Sequence, residues 1–365
     1  MRTCAVYDWN AALEEPFRMN LANVAIRRLQ DAPFPDFVAR PAVASLVAEA
    51  RKRLAKDPPH TEFDFACQMA ARPVAEHTDA ANEQHYELPP RFFRLCLGPR
   101  LKYSCCLYPT GAETLAEAEE SALAETCQHA DLKDGQSILE LGCGWGSLSL
   151  WMAERYPNAR ITAVSNSSSQ RGHIEAAAVA MGLKNLTVVT RDMNDFQTDE
   201  RFDRIVSVEM FEHMANWREL LTRARGWLKP EGRLFIHVFT HKDAPYRFDH
   251  GDSSDFIAQH FFTGGVMPSH RLIRQFPDLF EVEEEWRWSG EHYQRTADHW
   301  LENFDAERAE VMDLMRQTYG PDARLWARRW RRFFMATAGL FGDDDGRTWG
   351  VSHYRLKPFT KGDER

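Results

Sequence analysis

The stretch ILELGCGWGSLSL, residues 138–150, constrains the fold of this chain more than any other. An apolar strand runs into a Gly-x-Gly-x-Gly turn and directly on into a helix start. A buried strand followed by a helix is half of a βαβ crossover, and such units build parallel sheets covered on both faces. Four further short apolar runs, RITAVSN (160–166), LTVVT (186–190), RIVSVEM (204–210) and RLFIHVF (233–239), follow SILELG (137–142). Helix-like segments such as SLSLWMAERY separate them. FEVEEEWRW (280–288) and WGVSHYRL (349–356) supply two last strands. The expected fold class is therefore α/β, a Rossmann-like, mostly parallel sheet of seven strands.

Around this core the chain divides by pattern. Residues 1–75 read as an N-terminal helical accessory region, with VASLVAEARKRLA (43–55) apolar at spacings of three and four and a break at KDPPH. Residues 76–130 hold a cover segment, dense in aromatics, Pro and Gly over 83–111, and a first helix. Thr114 with Glu117 is a capping-box pair that sets that helix at about 115–129. Residues 131–242 form the ligand-binding core, and 243–280 interrupt the alternation as a lid insertion. Residues 281–365 complete the sheet. RLWARRWRRFF (324–334) predicts a helix with a basic solvated face and an aromatic buried face.

Composition excludes several classes of function. A net charge of −9 argues against a nucleic-acid binder. Seven cysteines without C-x-x-C spacing suggest a reducing, cytoplasmic compartment and no bound metal. No apolar run is long enough for a transmembrane span.

Glycines 142, 144 and 146 let a ligand approach the backbone, beside the free N–H groups of a helix start. A dinucleotide would call for G-x-G-x-x-G. The G-x-G-x-G spacing, with Glu140 at the entry, fits a cationic, phosphate-free ligand, S-adenosylmethionine. Asn166 and Gln170, after the second strand, would bond ribose hydroxyls, since an amide both donates and accepts. Asp192 and Met193 would meet the adenine.

SVEMFEHM (207–214) places Glu209, Glu212 and His213 together after a strand. If a helix begins here, the three share one face. Carboxylates attract an alkylammonium and an imidazole can take its proton, so the group suits an amine acceptor. The structural alternative is that the acids cap a helix N-terminus.

EQHYELP, YSCC, LELGCGWGSL, AVSNSSSQ, DRIVSVEMFEHM, FFTGGVMPS, EHYQRT and LFGDDDGRTW together resemble the cyclopropane fatty acid synthase superfamily of methyltransferases, and more narrowly its coclaurine N-methyltransferase type. The resemblance runs from about residue 80 to the C-terminus. It implies a class I methyltransferase using S-adenosylmethionine and releasing S-adenosylhomocysteine, with Tyr103 and Ser104 also at the donor. It implies Glu209, Glu212 and His213 as the catalytic set and Tyr86, Phe261, Phe262, Trp330 and Phe333 as acceptor walls holding a cation by cation–π contact. Trp326, on the same stripe, reads as core. The alternative is methylation or cyclopropanation of an unsaturated acyl lipid, with bicarbonate as base held by Cys105, Glu212, His237 and Tyr293. In cyclopropane synthases the position of Glu209 is usually glycine or another small residue, which favours a small cyclic or aromatic amine. A non-catalytic donor-binding module would need no such acids. A homodimer is left open.

Overall fold

The computed structural model describes residues 32–56, 58, 61–76, 88–248 and 255–360. Its strands are β1 (Ser137–Leu141), β2 (Arg160–Ser165), β3 (Leu186–Thr190), β4 (Phe202–Val208), β5 (Leu228–His241), β6 (Tyr246–Arg247), β7 (Val266–Met267), β8 (Phe280–Ser289) and β9 (Trp349–Pro358). Seven of them form one sheet in the order β3-β2-β1-β4-β5-β9-β8, and β6 pairs with β7 in a separate ribbon. β9 alone runs opposite to the other six strands of the large sheet. Strand order reverses beside β1, between β2 and β4, and open α/β sheets bind ligands outside the carboxyl ends at such a switch point.

All seven expected strands are present, and each residue of β1 is buried, as a central parallel strand requires. β5 begins at Leu228, earlier than its apolar run, because Phe202 pairs with Leu228 across a register shift. The helices are α1 (Asp36–Lys56), α2 (Glu62–Met69), α3 (Pro90–Cys96), α4 (Leu115–His129), α5 (Ser147–Arg155), α6 (Ser168–Ala180), α7 (Trp217–Trp227), α8 (Phe256–His260), α9 (Gly290–Ala306), α10 (Arg308–Tyr319) and α11 (Ala323–Gly342). α4 spans 115–129, with Thr114 and Glu117 closing a reciprocal capping box.

The 83–111 stretch, expected to lack regular elements, carries α3. Its paired prolines start that helix: Pro89 is the N-cap and Pro90 occupies the first turn, where a missing N–H costs nothing. α11 turns Trp330 and Phe334 inward. Its Arg331 clamps Asp36 of α1 and Asp305 of α9 at 2.6 and 2.7 Å. The N-terminal region reaches the connection after β4 through Val74, whose carbonyl accepts the Ala215 N–H at 2.7 Å, and Ala75, which bridges Met214.

Cys96, Cys105, Cys106, Cys127 and Cys143 are free and buried; Cys67 is disulfide-bonded, which a reducing compartment does not predict. Among the described residues no helix is long and apolar enough to cross a membrane.

Thr114→Ala removes one half of the capping box at an exposed position. It should lower stability by about 1 kcal/mol in urea unfolding.

Candidate active site

The β1–α5 turn uses its glycines for two purposes. Gly142 has φ +79°, and a Cβ there would lie 2.7 Å from the Met210 side chain, so the turn packs against the residue following β4. Gly144 has φ +51°, and nothing lies within 4 Å of where its Cβ would be. It faces a cavity lined also by Gly142, Ser165, Asn166, Gln170, Asp192 and Met193. Gln170 is buried; its Oε1 accepts from Ser165 Oγ at 2.6 Å, and its Nε2 has no hydrogen-bond partner among the described residues. A buried amide donor left without a partner in a residue that lines a cavity is a costly arrangement unless a ligand oxygen meets it.

Four of the expected donor residues make other contacts. Glu140 is buried and bonds Ser149 Oγ. A Cβ on Gly146 would meet Ile174 at 2.6 Å, so this glycine serves packing between α5 and α6. Ser104 Oγ accepts from Lys102 Nζ at 2.6 Å, and the Tyr103 ring packs between Phe93 and Trp300. Glu140, Gly146, Tyr103 and Ser104 are not among the residues lining the cavity.

At the end of β4 no α-helix begins. Phe211–His213 form a single 3-10 turn, and the acids cap no helix. Glu209 precedes that turn in a left-handed conformation, φ +47°, which costs a non-glycine residue about 1–2 kcal/mol. Its carboxylate compensates with three partners. The Cys105 backbone N–H donates to Oε1 at 2.8 Å, Tyr293 Oη donates to Oε2 at 2.6 Å, and His237 Nε2 lies 3.2 Å from Oε1. Cys105, His237 and Tyr293, expected around a bicarbonate, thus converge on the chain's own carboxylate.

Burial pushes the Glu209 carboxyl upward in pKa, against the charge of Lys102 and the bonds from Tyr293 and Cys105. Glu212 is fully buried and raised well above the usual carboxylate range, first by burial and then by the charge of Glu209. Its Oε1 accepts the Phe239 N–H at 2.6 Å, and its Oε2 has no hydrogen-bond partner among the described residues. His213 lines the cavity of the glycine turn, with its ring 4.3 Å from that of Phe262.

Phe261 stacks on Phe333 at 4.4 Å and meets Trp330 at 5.1 Å. Trp330 is fully buried against Phe92 and Phe93, whereas Trp326, read as core, is only half-buried, stacked on Tyr319 with the Arg329 guanidinium over its face. The exchange follows from α11 presenting residue 330, rather than 326, squarely to the interior. Tyr86 lies outside the described residues.

The family model for mycolic acid cyclopropane synthetase matches residues 75–348. The chain belongs to that family. Among curated relatives, the (S)-coclaurine N-methyltransferase of Thalictrum flavum subsp. glaucum is 36% identical over 290 residues, covering 78% of this chain and 80% of that protein. The cyclopropane-fatty-acyl-phospholipid synthase of Escherichia coli K12 is 31% identical over 271 residues, covering 74% and 66%. A crystal structure of coclaurine N-methyltransferase bound to N-methylheliamine and S-adenosylhomocysteine superposes with a TM-score of 0.85 at 30% identity, covering 92% of this chain and 99% of that one.

This cyclopropane synthetase family member is an S-adenosylmethionine-dependent methyltransferase with the class I fold. The cavity fits the donor: an open glycine turn, an unpartnered Gln170 amide and the Asp192 carboxylate suit a nucleoside carrying hydroxyls and an amine. Sequence reasoning missed Ala75 and Glu76, which line the cavity from the N-terminal side and belong to no motif. It also missed Lys102, buried with Nζ bonded to Ser104 Oγ and to the Cys105 carbonyl, both at 2.6 Å. A lone lysine beside YSCC carried no signal of burial.

Burial pushes Glu140 up to about 7 from an ordinary 4.5, with the Ser149 bond opposing. The folded chain holds this proton up to about pH 7 while the unfolded chain releases it near 4.5, so stability falls as pH rises through that window. Glu140→Gln removes the fall. Relative to the unchanged protein it should gain roughly 3 kcal/mol of stability between about pH 4 and pH 8 in denaturant unfolding.

Proposed function

We propose that this methyltransferase transfers its methyl group to the nitrogen of a small cyclic or aromatic amine, with Glu209 as the base. The convergence of the Cys105 N–H, Tyr293 hydroxyl and His237 imidazole on the Glu209 carboxylate carries the reading. A lipid alkene acceptor would call for a separate anion among those groups, and the anion they hold is Glu209.

The donor, when bound, supplies an electrophilic methyl on a sulfonium. An alkylamine at neutral pH is mostly protonated and offers no lone pair. Buried Glu209 attracts the ammonium, and its raised proton affinity narrows the gap to the proton it must take. To Glu212, whose Oε2 has no hydrogen-bond partner among the described residues, we assign the orienting of the amine nitrogen. His213 stands between the donor cavity and Phe262, so it and the aromatic cluster of Phe261, Phe262 and Phe333 can wall the acceptor. Trp330 backs that wall from the core. Positioning and exclusion of water supply most of the acceleration of such a displacement. In the donor cavity we assign Asn166 and Gln170 to the ribose hydroxyls and Asp192 and Met193 to the adenine. The coclaurine N-methyltransferase relatives support nitrogen as the acceptor atom.

Labelled S-adenosylmethionine, incubated with the protein and either a panel of secondary amines or phospholipid vesicles, tests the assignment. Label is expected in the amines; label in lipid alone would overturn it. Glu209→Gln should slow amine methylation by roughly 10²- to 10⁴-fold while calorimetric S-adenosylhomocysteine affinity stays unchanged.

A further inference from the structure

Behind Glu209 a line of imidazoles crosses the protein to its surface. His237 Nδ1 lies 2.8 Å from His353 Nε2, His353 Nδ1 lies 2.8 Å from His129 Nδ1, and His129 Nε2 lies 3.0 Å from Glu125 Oε1. His237 and His353 are completely buried and His129 nearly so, whereas the Glu125 side chain is 36% exposed.

The fold imposes this line. His237 on β5 and His353 on β9 are directly opposed in the antiparallel ladder, where side chains on one face come within contact distance. His129 and Glu125 sit one turn apart on α4, and the His129 ring stacks on Trp286, the residue opposite His353 on β8. Trp288 and Phe235 pack against His353 and shield the middle of the line from water.

We propose that Glu209, His237, His353, His129 and Glu125 form a proton relay that carries the proton removed from the acceptor amine to solvent. The relay rests on the amine reading above. In one polarity the Glu209 carboxylic acid donates to His237 Nε2, His237 Nδ1–H to His353 Nε2, His353 Nδ1–H to His129 Nδ1, and His129 Nε2–H to the Glu125 carboxylate. Shifting every proton across its own hydrogen bond leaves Glu209 ionised, Glu125 protonated and each imidazole neutral in its other tautomer. No atom is left over and no imidazolium is stranded in the core. The ammonium gives its proton to Glu209. The freed nitrogen lone pair forms the N–C bond as the C–S bond breaks, with that bond's electron pair staying on sulfur. Before this displacement the relay draws that proton on from Glu209 to Glu125, which releases it to water, so that Glu209 is ionised again and the nitrogen keeps its lone pair while it attacks.

The electrostatic surroundings keep the imidazoles neutral. Burial, then the charges of Lys102 and His129, holds His237 well below the ordinary imidazole range; burial does the same for His353, with His237, His129 and Lys102 adding. His129 is lowered chiefly by burial; Arg355 lowers it further, while Glu125 and Glu284 oppose. At the inner end Glu209 faces Lys102, Cys105, Tyr293 and Glu212.

Single-turnover methyl transfer to a secondary benzylic amine, followed from well below the amine's own pKa to above it, tests the relay. Below that pKa, His353→Gln should slow transfer by roughly tenfold to a hundredfold, the lower part of the range for a proton-transfer group. The deficit should vanish above it, where the amine arrives as free base. Glu125→Gln, on the surface of α4, should show a smaller deficit of the same pH dependence, because water can reach the edge of His129; it keeps the test alive should His353→Gln fail to fold. A deficit of constant ratio at every pH would overturn the relay while leaving amine methylation intact. No methyl transfer to any amine by the unchanged protein would overturn the amine reading and the relay with it.

Discussion

The carboxylate of Glu209 is the point on which the active region is organised. It receives a backbone N–H from the 101–106 segment, a phenol from α9 and an imidazole contact from β5, so three separate parts of the chain meet on one buried charge. Burying a carboxylate is costly unless its oxygens are bonded, and here each oxygen is. The buried Lys102 ammonium, whose charge favours the ionised form of Glu209, adds to this compensation from the same segment that supplies the Cys105 N–H.

Backbone geometry shows what that arrangement costs. A left-handed conformation at position 209 suits the glycine or small residue usual there in cyclopropane synthases, yet this chain places a glutamate in it. The strain of about 1–2 kcal/mol is offset by the bonds its carboxylate makes. The side chain at this position meets the Cys105 N–H and the Tyr293 hydroxyl. Directly after it, Met210 packs under the glycine turn, and Met210 and His213 both line the cavity.

Most of the architecture was legible in the sequence because it is carried by local pattern. Apolar runs bounded by turns marked the strands, Thr114 and Glu117 marked a helix start, and the spacing of glycines marked the ligand turn. What escaped depends on contacts between distant segments. His237 and His353 are separated by more than a hundred residues, and only the β5–β9 register sets them opposite each other. A histidine in an apolar strand looks the same whether or not a second imidazole faces it. Glu140 and Gly146 lie in the motif but are turned to Ser149 and Ile174, because a strand–turn–helix must pack its own sides before it can bind anything. The expected helix at 209–214 failed for a related reason: a left-handed Glu209 and a three-residue 3-10 turn stand where an α-helix was expected, so helical spacing does not relate the three side chains.

The central claim is that Glu209 serves as a tethered base where a free anion would otherwise sit, and a crystal structure with S-adenosylhomocysteine and a secondary amine tests it most directly. The account predicts the amine nitrogen within hydrogen-bonding distance of Glu209 or Glu212, with Cys105, Tyr293 and His237 still bonded to the Glu209 carboxylate. A small anion bound by Cys105, Tyr293 and His237, with Glu209 displaced and the acceptor space occupied by an acyl chain, would contradict it.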